Sequence, residues 1–176
     1  MMLRNIRLSS KNQGGFTLVE MLVSLAIAGI IGLGATIANA QVMNQTARNN
    51  DYTTASRQAM NAIYWISRDA QMAQAIAGDE GFPATTNLDL TWTGWDNTVN
   101  QVVYSVVDGQ LRRSYSVDGG EPSVTLVAEY INPNPASTNC TSDNGTLTIT
   151  VTGSVGEGSK IINVTKVREI ASRPNL

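Results

Sequence analysis

The sequence contains no histidine and a single cysteine, Cys140, among its 176 residues. The absence of histidine excludes the commonest general base and zinc ligand, and with them Ser-His-Asp and Cys-His catalytic arrangements. A single cysteine excludes an intrachain disulfide, a C-x-x-C redox site and a cysteine-based zinc site. No pair of acidic residues stands out at a recognisable catalytic spacing. We therefore expect no catalytic residue, no metal and no cofactor.

Charged residues are also scarce, at 15% of the chain against 42% hydrophobic residues, and the net charge is −2. This composition is not that of a disordered acidic chain or of a basic nucleic-acid-binding protein. The length is sufficient for one compact domain with an additional tail.

The few charges are distributed unevenly along the chain. Residues 1–15 carry Arg4, Arg7 and Lys11 and no acidic residue, whereas the remainder holds 9 basic and 14 acidic residues. Residues 16–40 contain only one ionisable side chain, Glu20. About 20 mainly apolar residues are needed to cross a bilayer as a helix. A basic flank before such a segment predicts a cytoplasmic N-terminus and an exported remainder.

Three interpretations of this segment compete. It could be a secretory signal peptide, since Ala38-Asn39-Ala40 has the A-x-A form of a cleavage site that would leave Gln41 as the mature N-terminus. The apolar run is longer than such peptides usually have, and an acidic residue stands near its start. It could also be an ordinary uncleaved anchor. The third interpretation depends on the junction between the basic and apolar parts.

That junction, residues 14–20 with the sequence GGFTLVE, resembles the prepilin-peptidase site of the type IV pilin and type II secretion pseudopilin superfamily. The resemblance covers about 25 residues closely. In this family a short basic leader ends in glycine, cleavage follows it, and the new first residue is N-methylated. The resemblance implies cleavage after Gly15, methylation of Phe16, and an assembly role for Glu20.

The residue types at these positions have a physical rationale. Gly15 lacks a Cβ, so it can enter a narrow peptidase cleft in an extended backbone conformation. An ionisable residue in a membrane segment is costly and is by default functional. Glu20 could pair with the α-amino group that cleavage creates on Phe16 of a neighbouring subunit. Alternatively, it lies near the helix end and reaches the membrane interface or is protonated.

Helical periodicity continues beyond the membrane segment. Apolar residues recur at spacings of three and four, which indicates an amphipathic helix and not a strand; they are Tyr52, Ala55, Ala59, Ile63, Ile66, Ala70, Ala73 and Ala77. Arg57, Arg68 and Asp69 fall outside this stripe. We predict one helix over residues 16–77, with a transmembrane and assembly half at 16–40 and an amphipathic half at 41–77.

From residue 87 the periodicity changes to two, as in strands. Val102–Val107 and Gln110–Val117 flank Asp108-Gly109, a strong hairpin signal. Six short strands are predicted in one antiparallel sheet, with one face on the helix stripe and a wet, Thr- and Ser-rich outer face. Trp92 and Trp95 are expected in the core or against the helix. The predicted fold class is α+β, with a long N-terminal helix on a β-rich head at 78–176.

Two features of the head bear on other functions. Residues 132–144 are rich in Pro, Asn and Ser and are expected to form an exposed loop that carries Cys140 as a free thiol or as an intermolecular bridge. Arg112 and Arg113 are adjacent on a strand and should point to opposite faces. Since the chain after the leader is acidic, nucleic acid is not an expected partner.

The sequence thus predicts a prepilin: a single-pass inner-membrane protein, cleaved after a removed leader at 1–15, and then a non-enzymatic subunit of a type IV pilus or type II secretion pseudopilus. The resemblance implies as partners the prepilin peptidase and methyltransferase, other pilin or pseudopilin subunits, the membrane assembly platform and the lipid bilayer. The head pattern is closer to minor subunits. A secreted or anchored β-rich binding domain and a surface hydrolase are the alternatives, the latter disfavoured by the lack of histidine.

Overall fold

The structure is a computed structural model that describes residues 15–78, 87–143 and 145–171. Its elements are one long helix, α1, and two antiparallel sheets. The first sheet has the order β1-β2-β3-β4-β5, and the second has the order β6-β7-β8. The bounds are α1 Leu18–Met72, β1 Ala75–Ala77, β2 Leu88–Thr93, β3 Val99–Val107, β4 Gln110–Val117, β5 Ser123–Ala128, β6 Asn139–Asp143, β7 Thr146–Val155 and β8 Ile162–Ala171.

This architecture confirms the predicted α+β class, a long N-terminal helix packed against antiparallel sheets. The chain divides into two compact units, residues 1–45 and residues 46–176. We call the second unit the head; it includes the C-terminal part of α1. The basic residues of the predicted leader, Arg4, Arg7 and Lys11, lie outside the described residues.

The core of the head forms between the predicted stripe of α1 and both sheets. Six of the eight stripe residues are buried, and all of these are alanine or isoleucine. Ala62 is buried as well, whereas Tyr52 at the start of the stripe is 54% exposed. The strands contribute large apolar side chains to the same cluster: Leu88, Leu90, Val102, Leu111, Leu147, Ile149, Val151 and Ile170.

The helix is shorter than predicted at its C-terminal end. It ends at Met72, and Ala75–Ala77 forms β1, which pairs with β2. Gln74 holds the start of β1 against β2, because its backbone N–H donates to the Thr91 carbonyl and its side-chain oxygen accepts from the Thr93 N–H. Pairing with a long-range partner therefore overrides a helical period that the alanine spacing continues up to Ala77.

The Asp108-Gly109 hairpin is confirmed. Val107 pairs with Gln110, and both turn residues have positive φ angles, 51° and 74°. A two-residue turn of this type matches the right-handed twist of the flanking strands, and Asp-Gly is one of its preferred sequences.

Other predictions for the head were wrong. Two sheets replace the single predicted sheet, and β6 lies inside the predicted loop at 132–144. Cys140 is therefore buried opposite Ile149 on β7 and is not exposed in a loop. Trp92 packs against the core as predicted, but Trp95 is 98% exposed on the turn between β2 and β3. Asn139–Asp143 has too few apolar residues to show strand periodicity.

Two side-chain amides of α1 reach the edge strand of the first sheet. The Asn61 Nδ2 group donates to the Val127 carbonyl at 2.6 Å, and the Gln58 Oε1 atom accepts the Glu129 N–H at 3.0 Å. Since β5 is the last strand in its sheet, backbone groups on its outer edge have no further strand to bond. The helix thus satisfies part of this edge.

Gly153 on β7 allows the helix backbone to approach the second sheet closely. A Cβ atom at this position would overlap the carbonyl oxygen of Ala55. Both residues are small, so backbone meets backbone here without an intervening side chain. The contact fixes the distance between α1 and β7.

We predict that Gly153→Ala lowers the free energy of unfolding of the head by about 1–3 kcal/mol, because overpacking forces α1 and β7 apart. Urea unfolding of the full chain in detergent, followed by tryptophan fluorescence, measures this change. The matched control is Gly119→Asn, where φ is +70° and an added Cβ meets nothing within 4 Å. Equal effects of the two substitutions would contradict the close-approach explanation.

Candidate processing and assembly site

Gly15 and Phe16 precede the first residue of α1 in a non-helical segment. An added Cβ at Gly15 would meet nothing within 4 Å, and Phe16 is 80% exposed. Packing within the described part of the chain therefore gives no reason for glycine at this position. Gly15 and Phe16 are thus free of packing contacts with the part of the chain that the structure describes.

A capping box forms the start of α1. The Thr17 Oγ1 atom accepts the Glu20 N–H at 3.3 Å, and the Glu20 carboxylate accepts the Thr17 N–H at 3.4 Å and its hydroxyl at 3.3 Å. Thr17 and Glu20 therefore satisfy two helix N-terminal N–H groups reciprocally. This places the Glu20 carboxylate at the positive end of the helix dipole, where it bonds to Thr17, the residue directly after Phe16.

The sequence analysis did not identify Thr17 as a partner of Glu20. The signal was present, because Thr-x-x-Glu before an apolar run is the pattern of a capping box. The geometry adds a third role to the two considered for Glu20. Its carboxylate is hydrogen-bonded to Thr17 within the same chain and caps the start of α1.

The helix surface after the capping box is apolar on every side. Each large side chain in this stretch is more than half exposed within the chain: Leu18, Val19, Met21, Leu22, Val23, Leu25, Ile27, Ile30, Ile31, Leu33 and Ile37. Water-exposed apolar surface on this scale marks a membrane or protein contact. By length and composition, this part of α1 could cross a membrane.

The hydroxyl groups in this stretch are satisfied without water. Ser24 Oγ donates to the Glu20 carbonyl at 2.7 Å, and Thr36 Oγ1 donates to the Gly32 carbonyl at 2.8 Å. Such bonds to the preceding turn remove unpaired donors from an apolar helix. Ala38, Asn39 and Ala40 lie in the middle of the continuous α1, where they form no extended segment for a signal peptidase.

A buried polar cluster fastens α1 to the first sheet and was missed by the sequence analysis. The Asp69 side chain is fully buried, although its position lies outside the apolar stripe. Its Oδ2 atom accepts hydrogen bonds of 2.6 Å from Arg113 Nε on β4 and from the Tyr104 hydroxyl on β3. Its Oδ1 atom lies 3.2 Å from Arg68 Nη2. One carboxylate thus joins the helix to two strands.

The electrostatics of this cluster agree with its geometry. Burial, reinforced by the hydrogen bond to Asp69, raises the pKa of the Tyr104 hydroxyl far above its ordinary value. Burial alone would lower the pKa of Arg113, but the hydrogen bond and charge of Asp69 outweigh it and raise that pKa. Arg113 is therefore ionised and Tyr104 is neutral at physiological pH.

Aromatic rings contact both arginines of the cluster. The Arg68 guanidinium lies 4.1 Å from the centroid of the Trp65 ring, and that of Arg113 lies 5.5 Å from Trp65 and 5.1 Å from Tyr115. These cation–π contacts add an attraction that helps to hold the two guanidinium groups in place. Arg112, next to Arg113 on β4, is exposed, as predicted for neighbours on a strand. The cluster is a structural attachment between helix and sheet.

Among the described residues, no group of three or more Cys, Asp or Glu side chains is arranged to hold a metal ion.

Comparison with known families identifies a motif in the N-terminal segment. Residues 10–36 match the prokaryotic N-terminal methylation motif. The chain therefore carries the prepilin-type signal of type IV pilins and pseudopilins, as the sequence resemblance implied. The match includes Gly15, Phe16 and Glu20 and ends within the apolar part of α1. No curated protein and no solved structure matches the chain.

With this signal, the long apolar helix and the β-rich head, the protein is a prepilin-like chain of the kind that is processed by prepilin peptidase. The signal and the apolar helix are consistent with anchoring in the inner membrane. The motif match indicates a structural protein of the pilin type.

We predict that Asp69→Ala lowers the free energy of unfolding of the head by about 3–5 kcal/mol, since Arg113 would be left buried without its partner. Thermal unfolding of the full chain in detergent measures the loss. Glu121→Ala, which removes an exposed carboxylate from the turn after β4, is the control and should change stability by less than about 0.5 kcal/mol. A similarly small effect at Asp69 would contradict the attachment role.

We also predict that the head loses stability above pH 10, the ordinary pKa of tyrosine. Below this pH, Tyr104 is protonated in both states; above it, the unfolded chain releases the proton while the folded chain retains it, which favours unfolding. This contribution reaches about 1.4 kcal/mol for each pH unit above 10. Urea unfolding at pH 9, 10 and 11 measures it.

In Tyr104→Phe this part of the alkaline slope should disappear, whereas Tyr52→Phe, which changes a 54% exposed ring, should keep it. Identical slopes in the two variants would show that Tyr104 is not the responsible group.

Proposed function

We propose that this protein is a structural subunit of a type IV pilus or type II secretion pseudopilus, cleaved after Gly15, N-methylated on Phe16 and assembled through the N-terminal part of α1. The match of residues 10–36 to the N-terminal methylation motif carries the proposal. Two structural observations support it: the exposed Gly15–Phe16 bond, and an apolar helix surface with no partner among the described residues.

Glu20 supplies the specificity of assembly in this proposal. In the precursor, its carboxylate caps α1 through Thr17. Cleavage then creates an amine on Phe16, which favours pairing with a carboxylate in an apolar environment, because opposite charges at about 4 Å attract far more strongly there than in water. A pair between Glu20 of one subunit and Phe16 of its neighbour would set the axial register of the filament.

The topology in this proposal is single-pass, with the N-terminus in the cytoplasm and the head exported. The basic residues before the apolar run support this orientation. The partners are prepilin peptidase with its methyltransferase activity, other pilin or pseudopilin subunits, the assembly platform and the bilayer. We further propose a minor subunit, on the resemblance of the Asp108–Arg113 hairpin region to minor pilins.

We predict that replacing Gly15 by a bulky residue, as in Gly15→Leu, leaves only the full-length precursor, because the larger side chain obstructs the peptidase cleft. Intact-mass measurement of the native protein distinguishes Met1 from methylated Phe16 at the N-terminus. Gly29→Leu, which also adds a side chain to an open position, is the control and should be processed. A native protein that begins at Gln41 would support the ordinary signal sequence instead.

We predict that Glu20→Gln is cleaved and methylated normally but enters filaments at least tenfold less, since the amide carries no charge to attract the Phe16 amine. The amide can still accept a hydrogen bond from Thr17, so this variant separates charge from helix capping. Immunoblotting of sheared filaments and of the membrane fraction measures the distribution. Filament entry at the wild-type level would overturn the assembly role of Glu20.

A further inference from the structure

A polar cavity of about 640 Å³ lies where the two sheets of the head meet. The β3–β4 turn and the start of β4 line it from the first sheet, and β7 and the residues around the start of β8 line it from the second. The segment at 129–133, between β5 and β6, supplies the remaining lining. We call it the inter-sheet cavity. Its volume lies in the range of small-molecule binding sites.

The backbone between the two sheets is fixed by hydrogen bonds to both of them. The Ile131 N–H donates to the carbonyl of Gly109, in the β3–β4 turn of the first sheet, at 2.8 Å. The Tyr130 carbonyl accepts the N–H of Ser154 on β7 at 2.7 Å. All four residues line the inter-sheet cavity. The cavity is therefore formed before a ligand binds, which reduces the ordering cost of binding.

Tyr130 has an uncommon backbone conformation within this segment. Its φ angle is 58°, in the left-handed region that glycine and asparagine enter readily and that bulky residues rarely enter. The hydrogen bonds of its carbonyl and of the next N–H hold this conformation. Residues held in such conformations are frequent at ligand-binding sites. The Tyr130 side chain is 51% exposed, so its ring is accessible to a ligand in the cavity.

The polar side chains of the inter-sheet cavity are two acids, three amides and one hydroxyl: Asp108, Glu129, Gln110, Asn132, Asn163 and Ser154. No lysine or arginine is among the lining residues that the structure describes. The carboxylates of Asp108 and Glu129 have no hydrogen-bond or ion-pair partner within the described ranges. They are therefore available to accept hydrogen bonds from a ligand.

The three amides supply hydrogen-bond donors to the cavity. The Gln110 oxygen accepts from Arg112 Nη2 at 3.0 Å, and the Asn132 oxygen accepts the backbone N–H two residues later at 3.0 Å. The Asn163 oxygen accepts from the Ser154 hydroxyl at 2.5 Å. Because each amide oxygen is already bonded, the NH₂ groups are left to donate to a ligand. The cavity thus combines acceptors and donors with an aromatic ring.

This set of groups disfavours several classes of ligand. An anionic ligand would meet two carboxylates with no cation in the lining, and an apolar ligand would leave carboxylates and amides unpaired. A cationic ligand could pair with the carboxylates, but an ammonium or guanidinium group has no acceptor for the three amides. A metal ion finds no group of three or more acidic side chains in the described part of the chain.

A neutral sugar matches the same set. Each sugar hydroxyl can donate to a carboxylate and accept from an amide NH₂ group, so both kinds of polar group in the cavity are used. The C–H face of a sugar ring can also pack against the electron-rich face of an aromatic ring. The lining therefore favours an uncharged, polyhydroxylated ligand with one flat apolar face.

We propose that the inter-sheet cavity binds a neutral sugar in its pyranose form. Tyr130 packs against the ring of the sugar, Asp108 and Glu129 accept hydrogen bonds from its hydroxyls, and the amides donate to them. All of these groups belong to one head, so the site requires no second subunit. The inference goes beyond the proposed function and does not depend on it, because processing and assembly involve residues 15–20 and the apolar part of α1.

Saturation-transfer NMR on the full chain measures binding directly. The chain is kept in lauryldimethylamine oxide, a detergent without a sugar head group. The probes are the methyl glycosides of glucose, galactose, mannose and N-acetylglucosamine, and we expect at least one to bind with a Kd on the order of 1 mM. Agmatine and N-acetylneuraminic acid are the cationic and anionic comparison ligands. Sugar binding should be unchanged between about 50 and 500 mM salt, because the ligand carries no charge.

Tyr130→Asn tests the ring contact without straining the backbone, because asparagine adopts a positive φ more readily than tyrosine. We expect sugar binding to weaken about tenfold or more, while thermal stability stays equal or rises. Tyr52→Asn removes a 54% exposed ring outside the cavity and should keep the wild-type affinity. Asp108→Asn, at a φ of 51° that asparagine also tolerates, should weaken binding roughly threefold to tenfold, since a carboxylate accepts stronger hydrogen bonds than an amide.

Failure of all four glycosides to bind overturns the proposal, and so does binding of agmatine or N-acetylneuraminic acid in their place. Equal affinity in the wild type and in Tyr130→Asn overturns the assignment to this cavity. Joint loss of affinity and thermal stability in Tyr130→Asn contradicts the role of the ring as a ligand contact. The Gly15→Leu precursor separates this site from the proposed function, since it should bind the sugar as the wild type does whether or not it is processed.

Discussion

The buried carboxylate of Asp69 is the charge on which the attachment of α1 to the first sheet depends. A carboxylate without solvent requires partners for its oxygens, and here they come from two strands and from the helix itself. The hydrogen bond and charge of Asp69 raise the pKa of Arg113 against the effect of burial, and they add to burial in raising the pKa of Tyr104. Helix and sheet cannot separate without breaking the hydrogen bonds that Asp69 accepts from Tyr104 and Arg113.

Around this charge, the apolar packing is built from small residues on the helix and large ones on the strands. Alanines on α1 allow close approach, and Gly153 extends this to direct backbone contact at Ala55. The proposed assembly segment differs, because its large apolar side chains are exposed. Its carboxylate, Glu20, is hydrogen-bonded to Thr17 at the start of the helix. The C-terminal part of α1 thus buries its apolar residues within the head. The N-terminal part exposes its apolar residues and requires an apolar environment outside the chain.

The sequence was most informative where the pattern was local. The apolar stripe, the Asp108-Gly109 turn and the residues around Gly15 are recognisable from neighbours along the chain, and the fold class follows from them. The role of Asp69 could not be predicted, because its partners are 35 and 44 residues away. β6 was missed because strand pairing, and not its own composition, buries Cys140. Assembly roles depend on a second molecule, which a single chain's pattern implies only by resemblance.

The amides of Asn61 and Gln58 have a consequence for the exposed edge of the first sheet. An open sheet edge can recruit a strand from any adjacent molecule. The two amides bond to Val127 on β5 and to Glu129 directly after it, so they occupy part of the edge of the first sheet at β5. Another strand could pair with this part of the edge only after these two hydrogen bonds break, so the helix side chains protect the edge against strand addition.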